Sequence, residues 1–262
     1  EPREVRLTRA TIESEAVTVE RVDDDVGVIR LRDFQAQSTA QIREALRELE
    51  VGRQGGVSAL VLDLRDNGGG LLGEAIGVVD LFLSRGIIVR TRGRQGVLMA
   101  QARASAARTY RKVPLVVLIN KGSASASEIV AAALQDHGRA AIVGERSYGK
   151  GSVQSPFLLP NGGILKLTTA LYYSPKDRVI QAAGVMPDVV ADGTLVGHGD
   201  TRPDIVPEDQ VEGHLDPAAF GREETNPARP GPVSEEAAVL TEEEVAARQL
   251  EAAVAQAKLI RK

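Results

Sequence analysis

Apolar and polar positions alternate along the opening stretch of the chain. Val5-Arg6-Leu7-Thr8, Ala16-Val17-Thr18-Val19 and Val26-Gly27-Val28-Ile29-Arg30-Leu31 are rich in β-branched residues, and each predicts a strand. The period then lengthens. Ile42, Ala45, Leu46 and Leu49 recur at helical spacing, with Ser38 or Thr39 as the capping residue and Gly52 as the stop. Val57 to Leu64 is an almost unbroken apolar run, as in a strand covered on both faces, and it ends at Asp66-Asn67-Gly68-Gly69-Gly70. A second helix is predicted from about Leu72 to Leu83. The buried run Pro114 to Asn120 then leads into a third helix, from about Ser125 to Gln135, and Ala140 to Val143 returns to strand.

Strands that alternate with helices predict right-handed crossovers on a mainly parallel sheet. From Gly151 the pattern changes: Val153 to Leu159, the turn Pro160-Asn161-Gly162-Gly163, and Ile164 to Tyr173 read as a β-hairpin. The predicted fold class is therefore α/β with a β-hairpin appendage. Residues 193–238, rich in Gly, Pro, Asp and Glu, read as a surface linker or extended arm that need not be ordered. Thr241-Glu242-Glu243-Glu244 matches a capping box ahead of a helix carrying Val245, Leu250 and Val254. The chain thus divides into an opening segment over 1–15, a core over 16–192, a linker or arm over 193–240, and a terminal helix over 241–262.

Composition narrows the function. With 43% hydrophobic residues in 262, the chain holds enough apolar side chains for a real core. The 32 basic and 36 acidic side chains leave a formal net charge of -4, so no general basic field exists to hold nucleic acid or an anionic membrane. The absence of cysteine excludes disulfides, thiolate metal sites and a cysteine nucleophile. No apolar run approaches the roughly 20 residues of a membrane span, and no motif asks for a metal or cofactor.

Candidate chemistry lies at two loops and one lysine. Gly68-Gly69-Gly70, directly after a buried strand, lets backbone N–H groups approach a ligand closely and suits an oxyanion hole as well as an ordinary turn. Gly122-Ser123-Ala124-Ser125-Ala126-Ser127-Glu128 lies between a buried strand and an inward-facing helix. A serine there has free backbone donors and the positive end of the helix dipole beside it. Ser125-Ala126-Ser127-Glu128 also fits a capping box, and Ser123 and Ser127 are rivals to Ser125.

Gly144-Glu145-Arg146-Ser147-Tyr148-Gly149-Lys150-Gly151 has the outline of a phosphate-binding loop. It lacks the magnesium-ligating hydroxyl, which Gly151 replaces, and the helix that should follow. Ser147 to Lys150 also spells S-x-x-K, which needs a helical turn that Gly149 opposes. A serine nucleophile needs a base. His198 and His214 fall in the polar linker, and His137 reads as a helix C-terminal residue before Gly138. Lys150, between uncharged neighbours, can serve if burial favours its neutral form, and Gln154, four residues on, can orient its amine.

Four ordered blocks resemble the C-terminal processing (tail-specific) peptidases over about residues 5–192: Leu62 to Gly70, Ser123 to Ile129, Gly144 to Gly151, and Gly184-Val185-Met186-Pro187-Asp188-Val189. The resemblance implies a crotonase/ClpP-like core, a nucleophile at Ser125, a base at Lys150 and a supporting amide at Gln154. It also implies an oxyanion hole from Ala126 and one of Gly69 and Gly70. Acyl transfer would follow, from protein or peptide substrates with unstructured C-termini and without a cofactor, in the bacterial periplasm or cell envelope. Homo-oligomerisation and an adaptor protein belong to the same expectation. Family members usually carry a PDZ domain before the core, and Glu1 to Arg9 resembles its last strand with the exit linker. Two other readings remain: a non-catalytic relative that holds peptides or lipophilic ligands, and an acyl-CoA enzyme of the crotonase type, which would bind CoA and not need the serine and lysine.

Overall fold

The computed structural model describes residues 16–22, 25–51, 55–105, 109–191, 205–220 and 242–260. Strands β1 (Val17–Val22) and β2 (Val26–Leu31) are followed by helix α1 (Ser38–Glu48), strand β3 (Ala59–Asp63) and helix α2 (Leu72–Asp80). Next come β4 (Ile87–Arg92), β5 (Leu98–Arg103), β6 (Leu115–Ile119), helix α3 (Ala126–Asp136) and β7 (Ala141–Gly144). The long strands β8 (Ser152–Leu158) and β9 (Ile164–Tyr173), the short β10 (Val189–Val190) and helix α4 (Glu242–Ile260) complete the order.

Both apolar runs sit at the centre of a six-stranded sheet ordered β1-β2-β3-β6-β7-β10, with β1 antiparallel and the other pairs parallel. Every residue of β3 and β6 is buried, because the sheet is covered on both faces. Leu60, Leu62, Leu115 and Val117 point into one core with Ile42 and Leu46 of α1, Val78 and Val79 of α2, and Ile129 and Val130 of α3. Their strand neighbours Ala59, Val61, Val116 and Leu118 point the other way and meet Ala253, Val254 and Ala257 of α4. The terminal helix thus covers the second face. It is held there partly by Arg65, which forms a two-pronged pair with Asp63 (3.0 and 2.7 Å) and donates to the Ala246 carbonyl at 2.7 Å.

Val254→Ala deletes two buried methyl groups at that seam. It is expected to cost about 2 kcal/mol in denaturant unfolding, from lost apolar transfer plus a cavity. An unchanged midpoint would mean that the helix does not dock.

The predicted α/β class with a mainly parallel sheet and a β-hairpin is borne out. The hairpin β8–β9 belongs to a second, four-stranded antiparallel sheet ordered β5-β4-β9-β8. Sequence reading did not anticipate β4 and β5, whose Leu98–Arg103 half is mostly exposed and carries no alternating pattern. Two local expectations change. Helix α1 is capped neither by Ser38 nor by Thr39: its N-cap is Gln37, and the Glu74 carboxylate on α2 accepts the N–H groups of Gln37 and Thr39 instead. Helix α2 ends at Asp80 rather than Leu83. The strand expected at Val5–Thr8 and the capping Thr241 lie outside the described residues. Within the stretch read as a linker, residues 205–220 lie against the core, with Phe220 buried beside Leu171, Tyr173, Val179 and Ala183.

Candidate active site

The β3 and β6 strands end side by side, so the loops after them meet above the carboxyl ends of the parallel sheet, where open α/β sheets place ligands. Asn67 joins these loops. Its side chain, fully buried, donates to the Leu31 carbonyl (2.8 Å) and accepts the Gly69 N–H (2.9 Å). Its own carbonyl accepts the Ala124 N–H (3.0 Å) and the Ser127 hydroxyl (2.9 Å). Gly69, at φ +106, is then pressed so closely onto the serine loop that a Cβ would lie 2.8 Å from the Ser125 Cβ and 3.0 Å from the Ala126 nitrogen. Only glycine allows that approach.

The three serines of the loop are not equivalent. Ser123 is fully buried, and its hydroxyl donates to the Leu64 carbonyl (2.8 Å) while accepting the Asn120 N–H (3.0 Å). Ser127 is fully buried and spent on Asn67. Ser125 alone is partly exposed. It stands at the N-cap of α3 with φ 55 and ψ -108, a strained conformation for a residue with a side chain, of the kind that surroundings enforce at functional turns. The Ala126 N–H beside it, at the first position of α3, has no intrahelical acceptor.

Glu128 binds this loop to the lysine loop. It is fully buried on α3. Its Oε2 accepts the Ser125 N–H and the Lys150 N–H, both at 2.8 Å. Its Oε1 accepts the Ser147 hydroxyl (2.6 Å) and the Gly149 N–H (2.7 Å). One carboxylate oxygen thus fixes the main chain of both Ser125 and Lys150. Burial pushes the Glu128 carboxyl up to about 7, against the pull of its four donors. Tyr148 adds a direct tie, its N–H donating to the Ser123 carbonyl at 3.0 Å.

Comparison with known proteins places the chain as a whole. The sequence pattern of peptidase family S41 matches residues 25–191. The chain belongs to peptidase family S41. It is 41% identical over 215 residues to the carboxy-terminal-processing protease of Bartonella bacilliformis, covering 82% of this chain and 49% of that protein. It is 42% identical over 163 residues to the chloroplastic carboxyl-terminal-processing peptidase 2 of Arabidopsis thaliana, covering 62% and 31%. Among solved structures it resembles the photosystem II D1 C-terminal processing protease, with a TM-score of 0.64 at 34% identity over 72% of this chain and 52% of that one. The chain spans about half the length or less of these relatives.

In this S41 core the predicted residues fall into two groups. Ser125, Ala126, Gly69 and Gly70 come together on the two loops. The Gly69 N–H is already held by Asn67, whereas Gly70 faces outward beside it. Lys150 joins them through its backbone, but its side chain is exposed. Gln154 is exposed on β8, beyond a register shift between Val153 and Gln154, and among the described residues no hydrogen bond links it to Lys150. His137 is the C-cap of α3 and contacts the Ile87 carbonyl at 2.7 Å. His214 contacts the Val211 carbonyl, and His198 lies outside the described residues.

Sequence reading missed Asn67 as the link between the loops and took Glu128 only for half of a capping box. The signal for Glu128 was its company: a carboxylate followed on α3 by Ile129, Val130, Ala131, Ala132 and Ala133 has little access to water.

Proposed function

We propose that this chain is the catalytic core of a serine endopeptidase that cleaves proteins near their C-termini, acting in the bacterial envelope. Ser125 is the nucleophile and Lys150 its general base. The observation that carries the reading is the sorting of the three serines: two hydroxyls are buried in structural bonds, and the third stands strained at a helix N-terminus with its backbone tied to that of the lysine.

Lys150 Nζ, neutral, takes the proton from Ser125 Oγ as the oxygen attacks the peptide carbonyl. The Ala126 and Gly70 N–H groups receive the oxyanion, Gly69 serving as the spacer that brings the loops together. The C–N bond breaks, the departing amine takes the proton from Lys150, and water releases the acyl group from Ser125. The C-terminal preference rests on the names of the relatives, and the envelope on the family resemblance. No helix among the described residues is long and apolar enough to cross a membrane.

The test uses an electrophile that acylates reactive serines without needing a recognition sequence. A chain that degrades casein at pH 8 is expected, after incubation with an alkyl β-lactone, to carry one acyl group on Ser125 by peptide mass spectrometry. Acylation of Ser123 or Ser127, or none in a chain that still degrades casein, would overturn the assignment.

A further inference from the structure

The lysine loop is gripped from two sides. Inside lies Glu128. Outside, the segment over 205–220 crosses it and makes bonds that the chemistry above does not use. The Glu208 N–H donates to the Tyr148 carbonyl at 3.0 Å. The Glu208 carboxylate accepts the Gln181 Nε2 at 3.0 Å, and burial together with that carboxylate nearby pushes the Tyr148 phenol up. Gln181, fully buried, passes the contact on: its Oε1 accepts the Gly151 N–H at 3.0 Å. Glu208 therefore reaches the residue before Lys150 but one and, through one amide, the residue just after it. Asp209 extends the grip to Arg146 at 3.4 Å, and Phe220, buried against β9, anchors the far end of the segment.

Residues 182–185 also hold the loop: the Ala182 N–H donates to the Gly149 carbonyl at 2.8 Å, and the Ser147 N–H to the Val185 carbonyl at 3.1 Å. Gly149 and Gly151 flank Lys150, so the backbone there has more conformational freedom to lose than at most positions. Lys150 itself is exposed.

We infer that residues 205–220 form a clamp on the lysine loop and that Glu208 is a positioning residue for Lys150, acting through Tyr148 and Gln181. The inference rests on the assignment of Lys150 as base. It places part of the machinery in a stretch whose composition reads as a linker, and it makes that stretch a point at which activity can be lowered without touching the nucleophile. A base displaced by about 1 Å loses much of its proton-transfer efficiency.

Two readouts decide it. The first is amide exchange over residues 146–151, followed by mass spectrometry on the full chain carrying Ser125→Ala, so that no turnover enters. Adding Glu208→Ala is expected to speed exchange there about tenfold or more. The second is peptide hydrolysis by the chain with Ser125 intact. Glu208→Ala is expected to lower kcat about tenfold with KM within about twofold, and Glu208→Gln, which still accepts from Gln181, to recover most of the rate. Unchanged exchange overturns the clamp. Faster exchange with unchanged kcat, or a Glu208→Gln enzyme as slow as Glu208→Ala, overturns the positioning role. If Lys150→Ala retains activity, the lysine assignment fails by itself, and the exchange readout still decides the clamp.

Discussion

Ser125→Ala is expected to lower kcat/KM for casein at pH 8 by at least about 10³-fold, and Lys150→Ala by a similar factor, with the double variant little worse than either single one. Groups that act in one proton transfer fail together, so their losses do not add. Lys150→Arg sharpens the test. It keeps the positive charge and the length, yet a guanidinium is not deprotonated in proteins, so it is expected to be as inactive as the alanine variant if the lysine is a base. A Lys150→Arg enzyme with near-parental activity would leave the lysine only an electrostatic task. Should Ser125→Ala lose activity while Lys150→Ala keeps more than about a tenth, the base lies elsewhere. Activity in both would place the hydrolysis on other residues, whereas a parent chain inert on casein would favour the ligand-holding or acyl-CoA readings, and CoA binding separates those two. Neither substitution should unfold the chain, since Ser125 is partly exposed and Lys150 exposed.

Much of the core was legible because it is built from local patterns. The all-buried runs at β3 and β6 could only be central strands, and helices α1 and α3 fell where apolar spacing put them. The nucleophile loop was legible as a position, a serine cluster between buried strand and inward-facing helix, but which serine stays partly exposed was not. That depends on Leu64 and Asn67, some 60 residues upstream, taking the hydroxyls of Ser123 and Ser127. Tertiary hydrogen bonds of this kind leave no periodic trace. The same holds for residues 205–220, whose polar composition hides a carboxylate and a phenylalanine that are bound to the core. The uncharged neighbours of Lys150 in sequence leave its burial open, since neighbours in sequence do not decide what covers a side chain, and Lys150 is exposed.

Glu128→Gln is expected to separate activity from stability, because the same carboxylate serves one and opposes the other. Ionised, it accepts from Ser125, Ser147, Gly149 and Lys150 at once, two donors to each oxygen. A glutamine has only one acceptor oxygen. If that oxygen keeps Ser125 and Lys150, the amide NH₂ meets Ser147, which can turn to accept, and the Gly149 N–H, which cannot. A misplaced main chain one residue before the base is expected to cost about 10²-fold in kcat/KM. Stability moves the other way. The folded-state carboxyl lies at about 7 against 4.5 for an ordinary glutamate, so the folded chain holds this proton more tightly than the unfolded one. The stability this group contributes is fully present below 4.5 and is lost as pH rises through about 7, a difference of about 3 kcal/mol. Glutamine removes that slope and leaves at most about 1–3 kcal/mol for the unsatisfied Gly149 donor. Unfolding free energies followed by denaturant from pH 5 to pH 8 should therefore decline less in Glu128→Gln than in the parent, while the variant at pH 8 is nearly as stable and far slower. A parallel decline in both chains would mean that Glu128 titrates as an ordinary carboxyl, and a fully active variant would mean that the two loops are held in register without it.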